Sequence, residues 1–284
     1  MPPDSASAPD AAGALREAAG RLAAVSPTPR LDAELLLAHA LGITREALLL
    51  GGAAAVPPAF DRLVAQRLAH TPVAYLTGTR AFWTLDLAVG PGVLIPRPDS
   101  ETLIEAAIDH FGARAPERIL DLGTGSGALL LAALDHWPGA WGVGVDRSDA
   151  ALGYARANAR GFGGRAALVQ GDWASALTGR FDLILCNPPY VEADADLPDE
   201  VARHEPASAL FAGADGLDDY RRLAPIIAAL LAPAGVAAVE IGADQRAGAG
   251  ALFAGAGLAV ACRRDLGGRD RCLILTRPPA PDAV

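Results

Sequence analysis

Residues 118–146 read "RILDLGTGSGALLLAALDHWPGAWGVGVD". The stretch opens on a short apolar run and breaks into a glycine-rich turn, Asp121 to Gly127. It continues as a helical pattern, "GALLLAALDHW", and closes on a second apolar run ending at Asp146. The same alternation recurs downstream. "AALVQGD", "FDLILCN", "GVAAVEIG", "GLAVAC" and "RCLILT" read as further strands, with "DAALGYARANARG" among the helices. Seven apolar strands separated by helices predict an α/β fold, a doubly wound sheet with helices on both faces. In such sheets ligands bind beyond the carboxyl ends of the strands, near the point where strand order reverses. The loops that directly follow strands are therefore where function is to be sought.

Upstream of this sheet the pattern differs. Residues 1–78 read as a small helical domain. "LDAELLLAHALG" sets Leu31, Leu35, Leu36 and Ala38 on one helical stripe and stops at Gly42, and "PAFDRLVAQRLAH" repeats the pattern with Phe60, Leu63, Val64 and Leu68. In residues 79–98 the period shortens to two. "WTLDLAVGPGVLIP" alternates at Leu85, Leu87 and Val89, and the expected β-hairpin linker turns at Gly90-Pro91-Gly92. The sheet domain is expected to occupy 99–284.

Composition narrows the class. The 284 residues are 51% hydrophobic and 20% charged, ample for a packed core. The formal net charge is −9, and every one of the 24 basic residues is Arg. An acidic chain without a basic arm is not built for non-specific nucleic-acid binding, so no direct DNA binding is expected. Cys186, Cys262 and Cys272 form no C-x-x-C, which argues against a disulfide framework or zinc site and fits a reducing cytoplasm. The first 20 residues lack a basic segment followed by an apolar core, so no signal peptide is read there, and no membrane span is expected. No metal-binding constellation stands out.

Four loops carry chemistry. Gly123, Gly125 and Gly127 alternate with Thr124 and Ser126. The G-x-G-x-G spacing is neither the G-x-G-x-x-G dinucleotide fingerprint nor a P-loop. It admits a ligand against bare backbone, or makes a tight strand-to-helix turn. Asp146 after the second strand is placed to accept from both hydroxyls of a ribose, or to cap the helix beginning near Ser148. In "GDW", Asp172 suits an adenine amino group and Trp173 a ring face, unless the loop is ordinary and the Trp packs in the core. Together these point to a nucleoside-containing ligand without an essential polyphosphate.

The fourth loop is "NPPY", Asn187-Pro188-Pro189-Tyr190, after "FDLILC". Two prolines stiffen it. The Asn187 side-chain oxygen and the Pro188 carbonyl can then stand side by side and hold an NH₂ group by its two hydrogens. An amide nitrogen is a poor nucleophile because its lone pair is delocalised. Gripping both N–H bonds directs that lone pair at an electrophile and stabilises the positive charge that develops. Tyr190 is placed to pack on the flat group being held. The bland alternative is a proline turn.

The glycine loop, Asp146 and NPPY together resemble the class I S-adenosylmethionine-dependent N-methyltransferases. Longer stretches narrow this: "RLDAELLLAHALG", "PVAYLTGTRAFW", "PGVLIPRPDSETL", "DLGTGSGALLLA", "NPPYV", "HEPASALFAGADGLDDYR" and "GGRDRCLIL" resemble the protein-(glutamine-N5) methyltransferases of peptide chain release factors, the HemK/PrmC family. The resemblance runs from about residue 27 to 277. It implies a seven-stranded Rossmann-like methyltransferase sheet with S-adenosylmethionine as cofactor. Asp121 and Gly123 to Gly127 would line the cofactor's methionine end, Asp146 its ribose, and Asp172 and Trp173 its adenine, with Asn187 adjoining. Asn187, Pro188, Pro189 and Tyr190 would hold the glutamine of a Gly-Gly-Gln motif. The helical domain would help dock the release factor. The family usually reads Glu-Thr-Glu after "IPRP", where this chain has Asp99-Ser100-Glu101. No role is assigned to Arg97, and of the scattered histidines only His204, in "HEP", is singled out, with a structural role as the alternative.

The sulfonium methyl is already activated, so in-line transfer requires positioning rather than a metal or strong base. Two other readings differ in kind. An adenine-N6 nucleic-acid methyltransferase would use the same clamp on a flipped base, against which the net charge counts. A non-catalytic binding module would not need an intact clamp.

Overall fold

The structure, a computed structural model, describes residues 10–51, 55–175 and 177–278. Residues 1–9, within the stretch read above for a signal peptide, lie outside it. The chain divides into two compact units, Met1–Thr79 with Leu197–His204, and Arg80–Asp196 with Glu205–Val284. No helix among the described residues is long and apolar enough to cross a membrane.

The first unit holds helices α1 (Ala11–Leu22), α2 (Pro29–Leu41), α3 (Arg45–Leu49), α4 (Ala59–Leu68) and α5 (Val73–Thr77). Its core gathers Leu15, Leu22, Leu36, Leu37, Phe60 and Val64. The stripe expected on α2 is displaced. Leu31 is 39% exposed and Leu35 only half-buried, while Asp32, Ala33, Glu34, Leu36, Leu37 and Ala38 are buried. Two carboxylates can enter the interior because each meets guanidinium groups. Asp32 takes Arg67 Nε at 2.8 Å, and Glu34 takes Arg30 and Arg45 at 2.6 and 2.8 Å. Arg67 also reaches Glu200 at 2.7 Å. Leu197–His204, which carries the short helix α9 (Asp199–His204), belongs to the helical unit.

The β-hairpin is present but turns earlier than expected. It pairs β1 (Thr79–Phe82) with β2 (Leu85–Ala88) through Trp83 and Thr84. Trp83 adopts φ +55°, the left-handed geometry that two-residue hairpin turns require. Gly90 to Gly92 instead form a turn after the second strand.

The second unit contains α6 (Glu101–Phe111), β3 (Arg118–Leu122), α7 (Ala128–His136), β4 (Trp141–Asp146), α8 (Asp149–Asn158), β5 (Ala166–Gln170), β6 (Phe181–Cys186), α10 (Asp218–Leu230), β7 (Leu231–Glu240), α11 (Arg246–Gly255), β8 (Ala259–Arg264) and β9 (Asp270–Thr276). The strands line up as β5-β4-β3-β6-β7-β9-β8. β3 to β7 are parallel, and β9 runs antiparallel between β7 and β8. Apolar cores cover both faces. Leu103, Ile104, Leu130, Leu134 and Trp137 pack on one; Tyr220, Leu223, Ile227 and Phe253 pack on the other. Strand order reverses between β3 and β6, where Leu122 stands opposite Cys186. The glycine loop and NPPY therefore leave the sheet side by side, at the position where open α/β sheets bind ligands.

Candidate active site

The loop after β3 is shaped by Asp121. This carboxylate is fully buried. Its Oδ2 accepts from Thr124 Oγ1 at 2.7 Å and from the Leu130 N–H at 3.2 Å, while Oδ1 has no hydrogen-bond partner among the described residues. Burial pushes its pKa up to about 7. Gly123, Gly125 and Gly127 have φ of 75°, 56° and 86°, a region that side chains disfavour. The N–H groups of Gly123 and Thr124 both donate to Val145 O at 2.9 Å, which folds the loop onto the end of β4.

Asp146 closes the loop from the other side. Its Oδ2 accepts from the Gly125 N–H at 2.9 Å and its Oδ1 from the Ser148 N–H at 2.8 Å. Helix α8 is capped by Ser148 itself, whose hydroxyl accepts from the Ala151 N–H at 3.2 Å. The capping alternative for Asp146 thus gives way to a tether on the glycine loop. A carboxylate has about four acceptor positions, so each Asp146 oxygen retains one for a further donor.

A pocket opens at this end of the sheet, about 1130 Å³ with its open mouth included. Gly123, Thr124, Gly125, Ser126, Asp146, Asp172, Trp173, Asn187 and Pro189 all line it, joined by Ser100 and Phe211. Trp173, at φ +50°, borders Gly123 closely enough that a Cβ there would lie 3.3 Å from the ring. Asp219 also lines the pocket. Asp172 is exposed and paired with Arg222 at 2.6 Å.

Asp121, Gly127, Pro188 and Tyr190 are not among the residues that line the pocket. Tyr190 sits beneath the loop rather than in its wall. Its hydroxyl reaches Glu240 Oε1 at 3.4 Å, and its carbonyl accepts from Gln245 Nε2 at 2.9 Å. Burial raises the phenol pKa. Asn187 donates through Nδ2 to Ser100 Oγ at 3.1 Å, and Ser100 Oγ in turn donates to Glu240 Oε2 at 2.5 Å. Among the described residues, neither Asn187 Oδ1 nor the Pro188 carbonyl accepts a hydrogen bond from the protein.

Ser100, Glu240 and Gln245 escape sequence reading because they support NPPY from segments 50 or more residues away. Glu240 left one trace, a lone carboxylate inside the apolar run "GVAAVEIG". Burial pushes its pKa up to about 7. Arg97 of "IPRP" pairs with the buried Glu205 of "HEP", whose other oxygen accepts from the Ile95 N–H at 3.2 Å. The two motifs thus meet in one ion pair. His204 Nε2 has no hydrogen-bond partner among the described residues.

Residues 13–78 match the family described as PrmC N-terminal domain, and residues 99–207 match the methyltransferase small domain. The chain is 48% identical over 261 residues to the release factor glutamine methyltransferase of Rhodospirillum rubrum, covering 89% of this chain and 80% of the relative. It is 45% identical over 260 residues to the protein of the same name from Xylella fastidiosa, covering 89% and 94%. Among solved structures, a methyltransferase from Pyrococcus furiosus gives a TM-score of 0.53 at 20% identity, covering 76% of this chain and 97% of that one, a likeness of fold alone.

Proposed function

The chain belongs to the release factor glutamine methyltransferase family, and from that premise we propose that it moves a methyl group from S-adenosylmethionine to the side-chain nitrogen of the Gly-Gly-Gln glutamine in peptide chain release factors. The observation that carries the reading is the placement of Asn187 on the pocket wall with its NH₂ already committed to Ser100. The amide oxygen is left for a substrate donor.

The pocket's own features suit the cofactor. Each Asp146 oxygen has an acceptor position left for a ribose hydroxyl. Gly123 and Gly125 offer backbone without side chains, Trp173 offers a ring face, and next to the loop Asp121 holds a buried oxygen without a hydrogen-bond partner among the described residues. When bound, S-adenosylmethionine supplies an activated methyl on a sulfonium.

The protein's own part is positional. Asn187 Oδ1, on the pocket wall, accepts one hydrogen of the substrate NH₂, and the Pro188 carbonyl, next along the loop though not part of that wall, accepts the other. That grip turns the nitrogen lone pair toward the methyl and is strongest as positive charge builds on nitrogen. The proton leaves after transfer, because methylation makes the amide N–H acidic, so no dedicated base is needed. The helical unit, remote from the chemistry in sequence, serves to recognise the protein substrate.

The test is incubation of the protein with labelled S-adenosylmethionine and either intact release factor or duplex DNA, followed by peptide mapping. Label on the Gly-Gly-Gln glutamine is expected. Label on adenine would favour a nucleic-acid substrate instead.

A further inference from the structure

We propose that Ser100 and Glu240 are positioning residues for the transfer step, fixing the Asn187 amide so that its oxygen faces the substrate. The inference rests on the reading of NPPY as an amide clamp and adds what keeps that clamp facing the right way.

An Asn side chain has two ends of nearly equal size, one an acceptor and one a double donor. Packing barely distinguishes them; hydrogen-bond partners do. For this reaction the difference decides everything. With the oxygen forward, Asn187 accepts from the substrate NH₂. With the amide reversed, NH₂ meets NH₂, and two donors confront each other.

The structure resolves this through a chain of three groups. Ser100 Oγ carries a single hydrogen. At 2.5 Å from Glu240 Oε2, that hydrogen is given to the carboxylate once it is ionised, the form that prevails above about pH 7, and an ionised carboxylate can only accept. The serine oxygen then has only lone pairs for Asn187 and must receive an N–H, as it does from Nδ2 at 3.1 Å. The direction of the chain is thus set at its carboxylate end.

Both supports are rigidly held. Ser100 is 3% exposed and ends the one-turn 3₁₀ segment Pro98–Ser100 leading into α6. Glu240 is 1% exposed at the end of β7, its backbone carbonyl accepting from Tyr220 Oη at 3.0 Å. Tyr190, from the same loop as Asn187, donates to its second oxygen at 3.4 Å. A carboxylate buried in an apolar strand carries a desolvation cost that an aliphatic residue would avoid. Its two oxygens go to Ser100 and Tyr190, the two groups that brace the clamp.

The experiment measures methyl transfer from labelled S-adenosylmethionine to intact release factor, together with cofactor affinity and melting temperature. The proteins are the wild type, Ser100→Ala, Ser100→Thr, Glu240→Gln, Asn187→Ala and the Ser100→Ala/Asn187→Ala double variant. Ser100→Ala should lower kcat about tenfold, part of the effect of losing the partner it orients, with a smaller effect on cofactor affinity, because Ser100 borders the pocket but its hydroxyl is engaged by Glu240 and Asn187. Ser100→Thr, which keeps the hydroxyl, should restore the rate. In the Asn187→Ala background the Ser100 change should add no further loss, since no amide remains to orient. Glu240→Gln should fall with Ser100→Ala if it folds; the two serine variants decide the matter if it does not. Wild-type turnover in Ser100→Ala beside an impaired Asn187→Ala would overturn the inference and leave the clamp standing. A full additional loss in the double variant would also overturn it. An active Asn187→Ala would instead remove the clamp reading, and the inference with it.

Discussion

The Asp146 carboxylate accepts from the Gly125 N–H at 2.9 Å, tying the end of β4 to the glycine loop that follows β3. One side chain therefore shapes the loop and, in the proposed complex, receives the ribose. Asp146→Ala should weaken S-adenosylmethionine binding about ten- to a hundredfold, as hydrogen bonds to a charged acceptor contribute roughly 1.5–3 kcal/mol. Calorimetric titration checks this; wild-type affinity in a folded variant would leave Asp146 with its loop-tethering role alone.

Arg97 and Glu205 join the two motifs that flank the pocket, and the Glu205 side chain is fully buried. Arg97→Ala strips a buried carboxylate of its charged partner. Stability should fall by roughly 1–3 kcal/mol, the cost of an under-satisfied buried polar group. Arg97→Lys should recover part of it. Urea unfolding of the three proteins measures the effect; superimposable curves would show that the pair adds nothing.

In the helical unit, Arg67 is 2% exposed and bridges Asp32 and Glu200. Arg67→Ala leaves Asp32 buried and unpaired, and should destabilise this unit by about 3–5 kcal/mol. Amide exchange should speed up in α2 and in α9 (Asp199–His204) together, because one guanidinium holds both. Exchange unchanged in α9 would contradict the bridge. A chain begun at residue 79 would lose this partner for Glu200, so it is a poorer test of substrate docking than point changes on the helices.

Glu240 and Asp121 titrate upward for the same reason, burial, each to about 7. For Glu240, Arg271 and the hydrogen bonds from Ser100 and Tyr190 oppose that shift, and Asp99 adds to it. The folded state then keeps a proton that the unfolded state has released. This contribution to stability is complete below about pH 4.5 and is lost as pH rises through about 7. Glu240→Gln removes one such group. Between about pH 5 and pH 8 the wild type should lose stability relative to the variant, read from denaturant midpoints across that range. A constant difference between them would show that Glu240 titrates normally.

Much of this was legible in the chain because the strands are buried on both faces and read as unbroken apolar runs. All seven predicted strands are present, as are the loops that end them. The helical unit was harder. A periodic stripe assumes one wet face, and α2 buries Asp32 and Glu34 through arginines that lie up to 35 residues away. The turn of the hairpin was set by Trp83 rather than by the conspicuous Gly90-Pro91-Gly92, because a bulky residue at positive φ leaves no mark on composition. At the site, residues that face the pocket announced themselves by position after a strand. Those that hold them, Ser100, Glu240 and Gln245, act across 50 to 87 residues of sequence, a distance over which periodicity carries no information.

The amide clamp is tested most directly by the rate of methyl transfer to intact release factor by Asn187→Ala, measured in a single turnover with saturating S-adenosylmethionine. Loss of one preorganised partner of the transition state predicts a rate lower by about 10² or more, with a smaller loss of cofactor affinity. A variant that binds the cofactor normally and transfers the methyl at the wild-type rate would contradict the account.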